Sequence, residues 1–300
     1  MDIVGSRKIT FTIAIIVILA GLLAMPINAG MGKGILDFDV EFVGGTVMEI
    51  HIGQEFDINN DIRPIVIDIT GDDSPQITRI DNQGVAIKTK SIDTKTRREL
   101  FDALKEKYQL DENEALLNAE DVSATIGTEM QLKAIKALVV ASILMLIYIT
   151  FRYKDWKFGL SAVIPLLHDV LVVLAVYSIL RVPVNNSFIA VILTILGYSI
   201  NNTIVIFDRI RENKKSVSRQ ELKELVNQSV NQTMTRSINT TVTTLLTITV
   251  LYFLGVPSIK EFALPLIVGL IAGTYSSIFI ASPVWYMLST KKTRTAKSQA

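Results

Sequence analysis

Six membrane-crossing helices, with one folded α+β domain carried between the first two, make up the fold class predicted by this 300-residue sequence. Three observations predict it. Six apolar runs are long enough to cross a bilayer, the stretch between the first and second is polar and about 100 residues long, and charge is segregated between that stretch and the rest. The mean hydropathy is positive and 49% of residues are hydrophobic, yet 20% are Asp, Glu, Lys or Arg, so the chain is not apolar throughout. Residues 30–133 hold 21 acidic and 11 basic side chains, and the remainder holds 8 and 19. The net charge of +1 therefore hides an acidic domain beside a basic helical region.

Residues 9–29 carry no charge over 21 positions, enough to cross ~30 Å of hydrocarbon. Arg7 and Lys8 precede them and small residues end them, as in a signal peptide. The apolar region of a signal is shorter, about 7–15 residues, so an uncleaved first span is expected. The second span covers 132–151, with Lys133 and Lys136 placed to snorkel at its start. The others are expected at 158–180, 186–207, 237–254 and 262–288. Basic residues concentrate in alternate loops: Arg7 and Lys8; Arg152, Lys154 and Lys157; Arg209, Arg211, Lys214, Lys215, Arg219 and Lys223; and Lys291, Lys292, Arg294 and Lys297. The other short loops hold only Arg181 and Lys260. Both termini are then cytoplasmic and the acidic domain extracytoplasmic in a multi-pass plasma-membrane protein. The expected division is 1–29 (cytoplasmic N-terminus and first helix), 30–131 (extracytoplasmic domain), 132–288 (five helices) and 289–300 (basic cytoplasmic tail).

Within the domain, residues 46–52 alternate, with Met48, Ile50 and Ile52 on one face and Glu49 and His51 on the other, as in a half-buried strand. Residues 77–80 and 85–90 flank Asp81-Asn82-Gln83-Gly84 and read as a hairpin. Asp93 caps a helix carrying Leu100, Leu104 and Tyr108. Residues 122–126 are the expected last strand, and 59–69 is ambiguous because Pro64 and β-branched residues weaken a helix. The order strand, helix, hairpin, helix, strand is that of a ferredoxin-like α+β unit. Gly44 and Gly45, just before the first strand, permit unusual backbone angles or close packing.

The helical half carries polar groups that anchoring does not require. Asp169 lies near the centre of the third span beside His168, at an insertion cost of at least ~2.5–3.5 kcal/mol. The fourth span holds Tyr198, Ser199, Asn201, Asn202 and Thr203. The fifth opens at Arg236 and continues with Thr240, Thr243 and Thr247, widened by Asn239 and Thr244. So regular a stripe is expected to face other helices or a polar path. Gly269 and Gly273, with Ser276 and Ser277 a turn later, form a close-packing face in the sixth. Interhelical hydrogen bonding accounts for the threonines and the two glycines. For Asp169, His168, Asn202 and Arg236, ion or proton handling is an equal reading.

The composition also excludes chemistry. There is no cysteine, so disulfides, zinc–thiolate sites and thiol nucleophiles are ruled out. His51 and His168 are the only histidines, and His51 reads as a solvated strand residue. No nucleophile–base set and no paired intramembrane aspartates occur. An enzyme, a metal, a cofactor and a nucleic-acid partner are not expected.

Four ordered segments carry a family resemblance. They are Phe42-Val43-Gly44-Gly45-Thr46, His168-Asp169-Val170, the fourth-span run from Gly197 through Asn201, Asn202, Asp208 and Arg209 to Asn213, and Arg236-Ser237-Ile238-Asn239-Thr240. Together they resemble the SecF branch of the SecD/SecF protein-export family, of the RND superfamily, over nearly the whole chain. The resemblance implies assistance to protein translocation driven by a proton gradient. It implies SecD, the SecY channel, translocating polypeptides and membrane lipids as partners. Many bacterial members have Asp where this chain has Asn202, an amide that cannot titrate near neutral pH. Asn202 and Arg236 are then expected to form a hydrogen-bonded joint, with the titrating acid in SecD; alternatively Asp169 takes the role. The missing acid and the compact loop suggest an archaeal origin. The competing readings are a small-molecule or lipid exporter of the same superfamily and a non-transporting assembly factor.

Overall fold

The computed structural model describes residues 1–80, 83–111, 115–214 and 221–297. Asp81 and Asn82 of the expected hairpin turn, Lys215 and Arg219 of the basic loop, and the last three residues of the tail lie outside them.

The chain begins with a hook, not a helix. Ile3 and Val4 are fully buried, and their amides both donate to Asn227 Oδ1 at 3.0 Å. Helix α1 (Arg7–Gly30) follows, then a short turn of helix, α2 (Val40–Val43). The domain comes next: β1 (Gly45–His51), a π turn Ile58–Ile62 running into α3 (Arg63–Thr70), β2 (Gln76–Arg79), β3 (Gly84–Thr89), α4 (Thr94–Tyr108) and β4 (Leu116–Val122). Five long elements complete the chain: α5 (Ala124–Tyr153), α6 (Trp156–Leu180), α7 (Asn186–Lys214), α8 (Leu222–Leu254) and α9 (Pro257–Ser276). A second π turn, Ser277–Ala281, leads from α9 into α10 (Ser282–Lys297). Six helices are long and apolar enough to cross a membrane, the last running Ile259–Thr290 through the π turn. α6 and this last span are enclosed by the others, whereas α1, α5 and α8 turn most of their surface outward.

The domain sheet is antiparallel throughout, in the order β2-β3-β1-β4. Met48 lies opposite Ile87 on one side and Ala119 on the other. Met48, Ile50, Val85 and Ile87 form one buried layer with Ile62 and Val66 at α3 and Leu100 and Leu104 of α4. The Asp93 carboxylate accepts from the Thr96 amide at 2.8 Å, the expected cap. Pro64 falls in the first turn of α3, where no amide hydrogen is needed, so the ambiguous stretch is helical after all. The last strand lies earlier than expected, at 116–122. Ser123 then caps α5, accepting from the Thr125 amide, so that helix starts eight residues before the expected span. β4 escaped notice because it is an edge strand with Asn118, Glu120 and Asp121 among its residues.

Gly44 and Gly45 join domain to helices, with φ of 84° and 155°. A Cβ on Gly44 would sit 2.6 Å from the Ala124 amide nitrogen, and one on Gly45 would collide with the Thr89 carbonyl oxygen. Glycine is required at both for conformation and for space. A second connection runs through main chain. The Val184 amide donates to the Asp37 carbonyl at 2.7 Å, and the Asp39 amide to the Val184 carbonyl at 3.1 Å. This staple ties the strap entering the domain to the α6–α7 turn. Lys88 of β3 pairs with the buried Asp39 carboxylate at 2.6 Å and fixes the strap to the sheet.

Candidate functional site

Among the described residues of the long helices, one carboxylate is fully buried. Asp169, midway along α6, is 0% exposed. Its Oδ2 accepts from Ser199 Oγ of α7 at 2.6 Å and from Ser276 Oγ at the end of α9 at 2.9 Å. Its Oδ1 lies 2.9 Å from His168 Nδ1. Three helices therefore converge on one side chain.

Small residues make this convergence possible. A Cβ on Gly269 would run into Ile195, and one on Gly273 would stand 3.1 Å from Ser199 Cβ, so α9 lies against α7 through these two glycines. The close-packing face read from the sequence is this contact. The π turn begins at Ser277, a device common at functional sites. Ser277 Oγ donates to the Ser199 carbonyl at 3.0 Å and accepts from Thr203 Oγ1 at 2.9 Å. The His168 ring stacks on Tyr275 at 6.1 Å, and the Tyr275 hydroxyl donates to the Thr10 carbonyl of α1 at 2.7 Å. Ser199 and Ser276 stand out in the sequence as polar and packing residues, but nothing there links them to Asp169. Ser276 reads there as a packing residue, and only its distance to Asp169 reveals the second role.

The arrangement has a definite chemical property. An ionised carboxylate only accepts, and two hydroxyl donors meet it here, with His168 Nδ1 as a third contact. Neutralising it removes the charge assistance from both serine bonds at Oδ2, and a proton on Oδ1 faces His168 Nδ1. Ser199 and Ser276 belong to different helices, so the protonation state of Asp169 is coupled to the bonding between α7 and α9.

The other candidate residues divide into two groups. Asn202 is buried, 3% exposed, and its Nδ2 has no hydrogen-bond partner among the described residues. Asn201 points the opposite way, into a polar groove of about 390 Å³ that it shares with Asp208, Arg209, Glu212, Gln232 and Arg236. Arg236, Asn239, Thr240, Thr243 and Thr247 form an exposed stripe on α8, and the side packed within the chain is Thr233, Ser237 and Thr241. Beyond Arg236, which borders the groove with α7, the stripe is exposed along α8. Arg236 makes no hydrogen bond to Asn202 and no ion pair among the described residues. The expected joint is therefore absent: the two side chains lie on differently directed faces of α7 and α8. Thr240, Thr243 and Thr247 satisfy their hydroxyls on carbonyls of the preceding turn, leaving Arg236 as the uncompensated group.

Of the remaining motif residues, Asp208 is a latch: it accepts from the Tyr153 hydroxyl at 2.9 Å and lies 3.8 Å from Arg152 at the end of α5. Arg209 pairs with Glu212 at 3.1 Å. Gly197 is exposed on α7, and a Cβ there would meet open space. His51 ends β1 at the domain, far in sequence from this cluster. No group of three or more metal-ligating side chains occurs among the described residues.

Residues 102–291 match the family model described as protein export membrane protein SecD/SecF, C-terminal. The chain is 35% identical to the protein translocase subunit SecF of Sebaldella termitidis, covering 96% of this chain and 92% of that one. It is 32% identical to the SecF of Pseudomonas aeruginosa over the same shares of the two chains. Among solved structures it superposes on SecDF of Thermus thermophilus, a translocon-associated membrane protein, with a TM-score of 0.79 and 31% identity. That match covers 97% of this chain and 39% of the longer SecDF chain. These relatives are bacterial, so the expectation of an archaeal origin finds no support.

Proposed function

The chain belongs to the SecF family of protein translocase subunits, and on that premise we propose that it works as one half of a SecD–SecF pair that uses an ion gradient to assist translocation through the SecY channel. The observation that carries the pairing is the α8 stripe. An exposed arginine at the inner edge of a span, with a polar row above it and no ion pair among the described residues, calls for a partner helix that brings a counter-charge. SecD is that partner in this reading, and its carboxylate faces Arg236.

The ion step then rests on two acids, Asp169 within this chain and one in SecD. Asn202 carries no proton. Its unpaired, buried Nδ2 is a donor waiting for an acceptor from water or from the partner. Proton gain at Asp169 weakens its charge-assisted bonds from Ser199 and Ser276, shifts α6 and α7, and so pulls on the α6–α7 turn. The staple at Val184 passes that motion to the strap and, through Asp39 and Lys88, to the sheet. The work done is mechanical, on a polypeptide, and no covalent step is required.

The strand–helix–strand–strand–helix–strand order and the β2-β3-β1-β4 sheet support a ferredoxin-like domain over 30–131, before a five-helix region over 132–288 and the basic tail over 289–300. The alternation of basic loops supports an extracytoplasmic domain and cytoplasmic termini. Purification from native membranes tests the pairing: SecD is expected in stoichiometric amount, and a chain that comes alone contradicts it. If Arg236→Ala lowers complex yield but leaves the pH-gradient dependence of export intact, the assembly-factor reading replaces this one. Solute flux in vesicles holding this chain alone would favour an exporter.

A further inference from the structure

Between the strap and helices α5, α6 and α7 lies an apolar groove of about 300 Å³. Phe42, Leu138, Leu174 and Ile192 form its walls. Its one polar side chain, Gln131, is already used: Nε2 donates to the Phe42 carbonyl at 2.7 Å. Ile135 stands at the mouth, 60% exposed, on the surface that α5 turns outward. The groove is thus continuous with the bilayer-facing surface. Its lining on α6 runs from Leu174 to Val170, six and ten residues below the end of that helix at Leu180. At 1.5 Å per residue this spans depths of about 9–15 Å, the inner part of one leaflet of a ~30 Å core, reaching its midplane.

The chemistry of the walls selects the occupant. A helix is about 10–12 Å across and does not enter a groove of this size. An extended peptide would bury amide and carbonyl groups against walls that offer them no hydrogen bond. A hydrocarbon chain has neither problem and gains dispersion contacts on all sides. We propose that this groove holds one acyl chain of a membrane phospholipid from the leaflet nearest the domain. The site is placed to matter. Phe38 and Val184 of the staple line it at one end, and Val170, the neighbour of Asp169, lines it at the other. A resident tail braces the staple against α6, and filling or emptying the groove alters how firmly the strap is held. The proposal needs only that the helices span a bilayer, so it stands apart from the SecD pairing.

The test uses the full chain, in its native complex, in vesicles of phosphatidylethanolamine and phosphatidylglycerol whose tails carry a diazirine. Photolysis after detergent extraction labels only retained lipid. Peptides containing Leu138, Leu174 and Ile192 are expected to keep their label, while the outward face of α1 around Ile15 and Leu19 loses it. Ala134→Trp, which fills the groove, and Ile135→Trp, which blocks its mouth, each lower the retained groove label several-fold without changing complex yield. Groove peptides that lose their label together with α1 overturn the proposal. So does label that neither variant reduces, or a groove that cross-links to another polypeptide in place of lipid.

Discussion

In the proposed mechanism the ion step turns on Asp169, and its two serine donors make the prediction specific. Asp169→Asn keeps the volume and most hydrogen bonds but removes the titration, so complex yield should hold while gradient-dependent export falls to the level seen without a gradient. Export of a secretory precursor into inverted vesicles, with and without a pH gradient, reads this directly. Ser276→Ala leaves the acid but removes one charge-assisted bond, worth about 1.5–3 kcal/mol, and should displace the pH at which coupling is half-maximal. Gly44→Ala tests a different matter. It places a side chain at positive φ with extended ψ, a region essentially restricted to glycine, at about 1–3 kcal/mol, and pushes it onto Ala124, so thermal melting of the purified protein should show a lower Tm. At this scale the sequence was partly readable. Asp169 and Gly44 stand out as a charge among apolar residues and a glycine before a strand. Asn202 and Arg236 were wrongly joined because residue spacing gives the face of each helix, not the direction in which a neighbouring helix lies.

Two linkages control how elements move together. The strap is held at one end by main-chain bonds to Val184 and at the other by the Lys88–Asp39 pair. Lys88→Met strands a buried carboxylate, a change that costs about 3–5 kcal/mol when a pair is fully buried and less here because Lys88 is partly exposed. Faster hydrogen exchange over residues 37–42 is the expected reading, with α4 unchanged. The N-terminal hook makes the second linkage. Asp2 bonds to Lys223, the Gly5 amide and Asn227, and these hold its carboxyl down to about 2. The unfolded value is about 3.9, so this contribution to docking is complete above about pH 4 and is lost as pH falls through the folded value. Exchange at the Ile3 and Val4 amides should accelerate in that acidic window, and Asp2→Asn should remove the dependence. Elements were the most legible level, since apolar length and period mark helices strongly. The edge strand β4 and the π turns were not legible, because neither has a periodic signature: one is polar on both faces and the others differ from a helix by a single residue.

For the molecule as a whole, the decisive feature is what the chain leaves uncovered. α6 and the last span are enclosed, but α8 turns Arg236, Asn239, Thr240 and Thr243 outward, and α7 adds Gly197 and Asn201. The six spans and the charge segregation announced a membrane protein from the sequence alone. That one face is unfinished emerged only once the helices were packed, because a polar stripe looks the same whether it meets its own chain or another. Arg236→Glu should abolish recovery of SecD, and a matching basic substitution of the SecD acid should restore it. The chain contains no cysteine, so single cysteines report cleanly on each face. The most direct measurement is therefore cross-linking in native membranes from Gly197→Cys and Thr240→Cys, with Val139→Cys on the outward face of α5 as reference. The account predicts adducts of this chain with SecD from the first two positions and none from the third. Adducts from Val139→Cys alone, or none from α7 and α8, would contradict it.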